Sequence, residues 1–176
     1  MVTKTTQPVE VSLPSDTEVR IARSFNAPRN LVWRAHTEPE LVKRWMLGPP
    51  GWSMPVCEID LRTGGTYLWR WRSDATGQMF GFHGDYREVD TPAKIVHAEY
   101  YDPGDLGGPM DTSKPAIIDT RFSEKDGVTS LVMVMEFSSK EIRDAAASTG
   151  MTDGMEQGYA RLDEMLSRSE ERRVGK

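Results

Sequence analysis

Between Ser53 and Phe137 the chain passes through six strand-like segments, most of them joined by connections too short for anything but antiparallel pairing. They cover residues 53–61, 65–72, 79–89, 94–101, 116–124 and 128–137. Gly64-Gly65, Asp74 to Gly77, Thr91-Pro92 and Asp126-Gly127 punctuate them. A further strand precedes them, because residues 18–25 alternate Val19, Ile21 and Phe25 with Glu18, Arg20 and Ser24. A sheet this large must bury one face, and one element is long enough to cover it. Met151, Met155, Tyr159, Leu162 and Leu166 recur on one face of a helix expected over residues 151–168. Two short helices follow the first strand. Pro28 opens one, carrying Leu31, Val32 and Ala35. Thr37 and Glu40 read as a capping box for the other, which carries Leu41, Val42 and Trp45 and stops before Gly48-Pro49-Pro50-Gly51. Residues 138–148 form another short helix. The expected class is α+β, with a curved seven-stranded antiparallel sheet wrapped around a long C-terminal helix.

The 176 residues fit one domain. Its expected span is 16–168, after a Thr-rich disordered lead at 1–15 and before a charged tail at 169–176. A net charge of -5 and a pI near 5.3 argue against nucleic acid as a partner, which needs a basic footprint. One cysteine, Cys57, allows no intrachain disulfide and fits a reducing cytosol. The first residues lack the apolar core of a signal peptide, and no apolar run approaches the ~20 residues of a membrane span. The expected location is the cytoplasm.

Tyr67, Trp69 and Trp71 fall two apart on one strand and share a face, alternating with Leu68, Arg70 and Arg72. This aromatic face suits either the wall of an apolar pocket or ordinary core. The same choice applies to the Met151, Met155, Tyr159, Leu162 stripe, where methionine adapts to varied shapes. Gly154 and Gly158 thin that helix on one flank, and a side chain at 158 would project into the space left there. Trp45 and Trp52, flanking the Gly-Pro-Pro-Gly loop, read as a pocket rim, and Phe82 and His83 as further lining. The expected ligand cavity is therefore lined by Trp45, Trp52, Tyr67, Trp69, Trp71, Phe82, His83, Met151, Met155, Gly158, Tyr159 and Leu162. His36, His83 and His97 show no metal-ligand spacing with one another, with Cys57 or with a carboxylate. No metal, cofactor or catalytic residue is assigned, since nucleophile elbow, phosphate loop and zinc helix are all missing. The Gly- and Pro-rich loop at 102–115 is expected to lean over the cavity mouth with Leu106 or Met110.

Several pieces in order carry a resemblance. They are Phe25-Asn26-Ala27-Pro28, Val32-Trp33, Lys43-Arg44-Trp45, Glu58-Ile59-Asp60-Leu61-Arg62 with Gly64-Gly65, Gly84 with Tyr86, Gly150-Met151-Thr152-Asp153-Gly154, and Leu162-Asp163. Over roughly residues 18–167 this set resembles the START-like helix-grip (SRPBCC) superfamily. Within it, the chain is most similar to the activator of heat-shock-protein-90 ATPase homologue (AHSA-type) group. The resemblance implies the helix-grip fold and a hydrophobic pocket, but not one activity. It departs from many members by having Gly158-Tyr159 where they carry Gly-Trp. The resulting expectation is binding of a small hydrophobic, aromatic or lipid-like, molecule with no catalysis required. A cyclase or aromatase using the same cavity and a chaperone ATPase activator are the alternatives. As partners, the small molecule comes first, with a homodimer and a chaperone partner left open.

Overall fold

Along β2 (Glu18–Phe25), Val19, Ile21, Arg23 and Phe25 are buried and the residues between them are more open, so the alternation becomes a half-buried strand. A computed structural model of the protein describes residues 8–106 and 113–174, with side chains through Arg168 in the last helix. The remaining elements are β1 (Glu10–Ser12), α1 (Arg29–Thr37), α2 (Pro39–Trp45), β3 (Trp52–Ile59), β4 (Thr66–Ser73), β5 (Met79–Asp90), β6 (Lys94–Asp102), β7 (Ala116–Lys125), β8 (Val128–Glu136), α3 (Lys140–Ala147) and α4 (Met151–Val174). The architecture is α+β and consistent with a helix-grip fold.

The sheet has eight strands, not seven, in the order β1-β2-β8-β7-β6-β5-β4-β3, and every pairing is antiparallel. The added strand β1 lies within the stretch read as a lead-in and pairs Glu10 with Ala22 and Ser12 with Arg20. Its three residues are all exposed and sit between Pro8 and Pro14, so no buried alternation marks them in the sequence. Residues 1–7 lie outside the described residues. Register shifts between Ser53 and Val56 and between Tyr86 and Glu88 mark bulges, the device by which strands bend and twist.

The expected capping box is replaced by a different arrangement. Thr37 ends α1, and its hydroxyl donates to the Trp33 carbonyl at 2.9 Å. Glu38 becomes the N-cap of α2, its carboxylate accepting from Arg34 and Pro39 taking the first helical turn. One residue therefore separates two helices, and the indole N–H of Trp45 pins the second to the first by donating to the Ala35 carbonyl at 2.9 Å.

Tyr159 of α4 sits at the junction of helices and sheet. Its ring meets Phe25 edge-on at 5.3 Å and stacks on Trp45 at 5.5 Å. His36 fills the same junction. Its Nδ1 donates to the Val32 carbonyl, and burial pushes the imidazole down to about 4, so it is neutral there. A second anchor is ionic. Arg23, buried on β2, donates to both oxygens of Glu156 and of Asp163 on α4. The Val9 amide also donates to Glu156, tying the start of the chain to the helix.

Candidate functional site

The inner face of the sheet is read across the strands by register. Trp69 on β4 opposes Phe82 on β5, and Tyr67 opposes Gly84. Phe82 opposes Tyr101 on β6, and Tyr86 opposes His97. His97 in turn opposes Ile118 on β7. Residues two apart share a face, so Glu99 joins His97. The β2–β8–β7 side of this face is sealed: Val19, Ile21, Ile118 and Met135 are buried, with Met151 and Met155 of α4 packed on them. The β4–β6 side is less covered, and Trp69, Phe82, Glu99 and Tyr101 are only half-buried.

Beneath that half-open patch lies a tight aromatic floor. Tyr67 meets Trp69 at 4.5 Å, His97 edge-on at 5.2 Å and Tyr86 at 5.4 Å. The Tyr67 hydroxyl donates to the Ala98 carbonyl at 2.8 Å. Burial raises the Tyr67 phenol well above its ordinary range, and the nearby Glu99 charge adds to this. The ring fits because Gly84 has no side chain. A Cβ there would run into the Ala98 carbonyl oxygen and come within 3.0 Å of the Tyr67 hydroxyl.

The twelve expected cavity residues divide. Tyr67, Trp69, Phe82 and Met155 gather at the patch or its border. Tyr159 and Leu162 are closed core, at 2% and 0% exposed. Trp45 is core as well rather than a rim, held by its hydrogen bond to Ala35 and its stack on Tyr159. Trp71 sits in a neighbouring cluster with Val42, Met54 and Cys57, and its indole N–H donates to the Met46 carbonyl at 2.7 Å. Trp52 stands edge-on to Phe80 at 5.2 Å in that same cluster. Met151 belongs to the sealed β2–β8–β7 side.

Two expectations are corrected. His83 is not lining: paired with Leu68 and Tyr100, it lies on the opposite face of the sheet, exposed and stacked on Tyr100 at 5.4 Å. Adjacent strand residues point to opposite faces, so Phe82 and His83 could not both enter one cavity. Gly158 does not look into open space either. A Cβ there would sit 3.0 Å from the Trp45 carbonyl oxygen, so the glycine lets α4 approach α2. Gly154 differs, with only Pro49 Cδ at 3.6 Å and Gly48 Cα at 3.9 Å near a built Cβ. Gly154→Ala is therefore expected to raise stability by up to ~1 kcal/mol through helix propensity. Gly158→Leu should lower it by about 1–3 kcal/mol through overpacking. Urea unfolding of both variants checks the contrast.

The loop after β6 begins against the start of β5. Its Asp105 backbone N–H donates to the Met79 carbonyl, the Asp105 carboxylate accepts from the Met79 amide, and Leu106 is 43% exposed. Met110 lies outside the described residues. Two open depressions measure about 350 and 480 Å³. One is bordered by Pro28, Gly127 and Asp163, the other by Glu58, Asp60, Tyr67, Leu68 and His83; the second touches the patch at Tyr67, but neither reaches Trp69, Phe82 or His97. Among the described residues no three His, Cys, Asp or Glu side chains are grouped to hold a metal ion. Burial pushes the Cys57 thiol up to about 11, which leaves it unreactive as a nucleophile at neutral pH. Among the described residues no helix is long and apolar enough to cross a membrane.

The family model for Activator of Hsp90 ATPase homolog 1-like protein (AHSA1) matches residues 26–167. The chain belongs to the AHSA1-like family. Solved structures share its fold. A Rhodobacter sphaeroides protein is 26% identical, with a TM-score of 0.82 over 92% of this chain and 99% of that one. An Arthrobacter aurescens protein is 21% identical, with a TM-score of 0.78 over 92% of this chain and 93% of that one. An AHSA1-like protein from Aeromonas hydrophila is 17% identical, with a TM-score of 0.64 over 83% and 93% of the two chains. No curated protein matches the chain. In this AHSA1-like chain the residues that sequence reasoning missed are His97, Glu99, Tyr86 and Tyr101. Strand parity carries a signal for them, since His97 is two residues from Ile95 and Glu99 two from His97.

Proposed function

We propose that the protein binds a small, mainly aromatic hydrophobic molecule between α4 and the inner face of β4–β6, without a chemical step. The uneven cover of that face carries the reading. On one side α4 closes the sheet through Tyr159, Leu162 and the methionines, while on the other Trp69, Phe82 and Tyr101 remain half-open over an aromatic floor. Aromatic side chains left partly uncovered beside an apolar helix flank suit a flat apolar ligand. AHSA1-like membership and the helix-grip architecture, in which the sheet curves around the long helix, favour the same place. The single buried Cys57 supports a reducing, cytoplasmic setting.

The neutral dye Nile red tests this. Binding near a 1:1 ratio with quenching of tryptophan emission is expected, and Trp69→Ala should weaken it by about tenfold. A protein that keeps its near-UV circular dichroism yet binds neither Nile red nor naphthalene would make this face closed core instead.

A further inference from the structure

Three polar atoms at the patch are buried without a hydrogen-bond partner: Nε1 of Trp69 and both ring nitrogens of His97. His97 is 8% exposed, and its ring lies 6.0 Å from that of Trp69. Leaving such atoms unpaired is costly, so native folds nearly always satisfy them with protein, water or ligand. The two rings meet edge-on on the half-open side of the sheet.

The chemistry they offer is specific. The Trp69 indole can only donate. A neutral imidazole donates from one nitrogen and accepts at the other. Glu99 Oε1 stands 3.7 Å from Nε2 of His97, so in the neutral ring the tautomer with its proton on Nε2 turns that proton toward the carboxylate and offers the Nδ1 lone pair as acceptor. The patch therefore pairs a donor with an acceptor. Charge narrows the choice further. Among the described residues no Lys or Arg pairs with Glu99, and Arg23 on this face is already committed to Glu156 and Asp163. An incoming carboxylate would meet the Glu99 charge with no cation to offset it.

We infer that Trp69 and His97 recognise a neutral hydroxyl on a planar aromatic ligand, which accepts from the Trp69 N–H and donates to His97 Nδ1. This rests on the hydrophobic-binding reading above and names its ligand class as phenol-like rather than as an acid or a pure hydrocarbon.

Isothermal titration with 2-naphthol, 2-methoxynaphthalene, naphthalene and 2-naphthoate tests it. The naphthol is expected to bind at least about tenfold tighter than its methyl ether, which cannot donate, with the naphthoate weakest. His97→Phe should reduce the naphthol-to-ether ratio to about one while keeping affinity for the ether. Trp69→Phe, which preserves the ring stack, should also lower the ratio and serves if His97→Phe fails to fold. Equal binding of naphthol and ether, or tightest binding of the naphthoate, overturns the hydroxyl assignment and leaves the hydrophobic site standing. Absence of binding by all four to the folded protein removes both.

Discussion

Replacing Arg23 by alanine is expected to destabilise the protein by about 3–5 kcal/mol, the range for breaking a buried ion pair by removing one partner. The guanidinium is 2% exposed and holds two carboxylates of α4, Glu156 and Asp163, at 2.8–3.0 Å. It also lies over the Phe25 ring, 5.0 Å from its centroid, so alanine loses packing along with charge. Each carboxylate is about a quarter exposed, so the loss should fall at the lower end of that range. Removing all three charges together, as Arg23→Met with Glu156→Gln and Asp163→Asn, should recover much of it, because no unpaired charge is left. Urea unfolding at neutral pH measures both. A loss below about 1 kcal/mol in Arg23→Ala would mean that α4 is held by its apolar face alone.

The same site sets a pH dependence. Burial opposes ionisation of Glu156, but hydrogen bonds from Arg23 and the Val9 amide outweigh it and hold the carboxyl below its usual range. A depressed folded-state value contributes stability above the unfolded value of about 4.3 and loses it as pH falls through the folded value. Wild-type stability should therefore decline on acidification below about pH 4.3, and Arg23→Ala should lack that part of the slope.

Gly84→Val is the second large expected loss, about 3 kcal/mol or more. Its cause is space and not backbone freedom, since Gly84 does not have a positive φ. Any Cβ meets the Ala98 carbonyl oxygen and crowds the Tyr67 hydroxyl that bonds to it. Overpacking costs about 1–3 kcal/mol, and an unsatisfied buried hydroxyl a further ~1–3 kcal/mol. Tyr67→Phe alone should cost only about 1–2 kcal/mol, the worth of one buried hydrogen bond. The double variant should be less unstable than the sum, because both changes act on one contact. Strict additivity would show that the glycine does not serve the tyrosine.

Much of the fold was legible because burial follows the strand period. The Val19, Ile21 and Phe25 alternation and the α4 stripe survive in the folded protein almost residue for residue. β1 was not legible, since three exposed residues on a sheet edge leave no apolar trace. Thr37 was misread because its hydroxyl can serve either the next helix or its own, and the α1 carbonyl is nearer. At the site, apolar bulk located the neighbourhood of Tyr67, Trp69 and Phe82 but could not separate a closed core from an open wall. Trp45, Tyr159 and Gly158 look like lining in sequence and prove to be the contact between α2 and α4. His97 and Glu99 do not read as lining in sequence, because what they face depends on cross-strand neighbours more than ten residues away.

The indole N–H signals in a 15N-labelled sample test the binding claim most directly. The Trp45 and Trp71 indoles are tied to the Ala35 and Met46 carbonyls, whereas that of Trp69 is buried without a partner at the patch. Titration with 2-methoxynaphthalene is expected to move the Trp69 signal in a saturable way and leave those of Trp45 and Trp71 nearly unchanged. Movement of Trp45 or Trp71 with Trp69 static would place the ligand elsewhere and contradict the account.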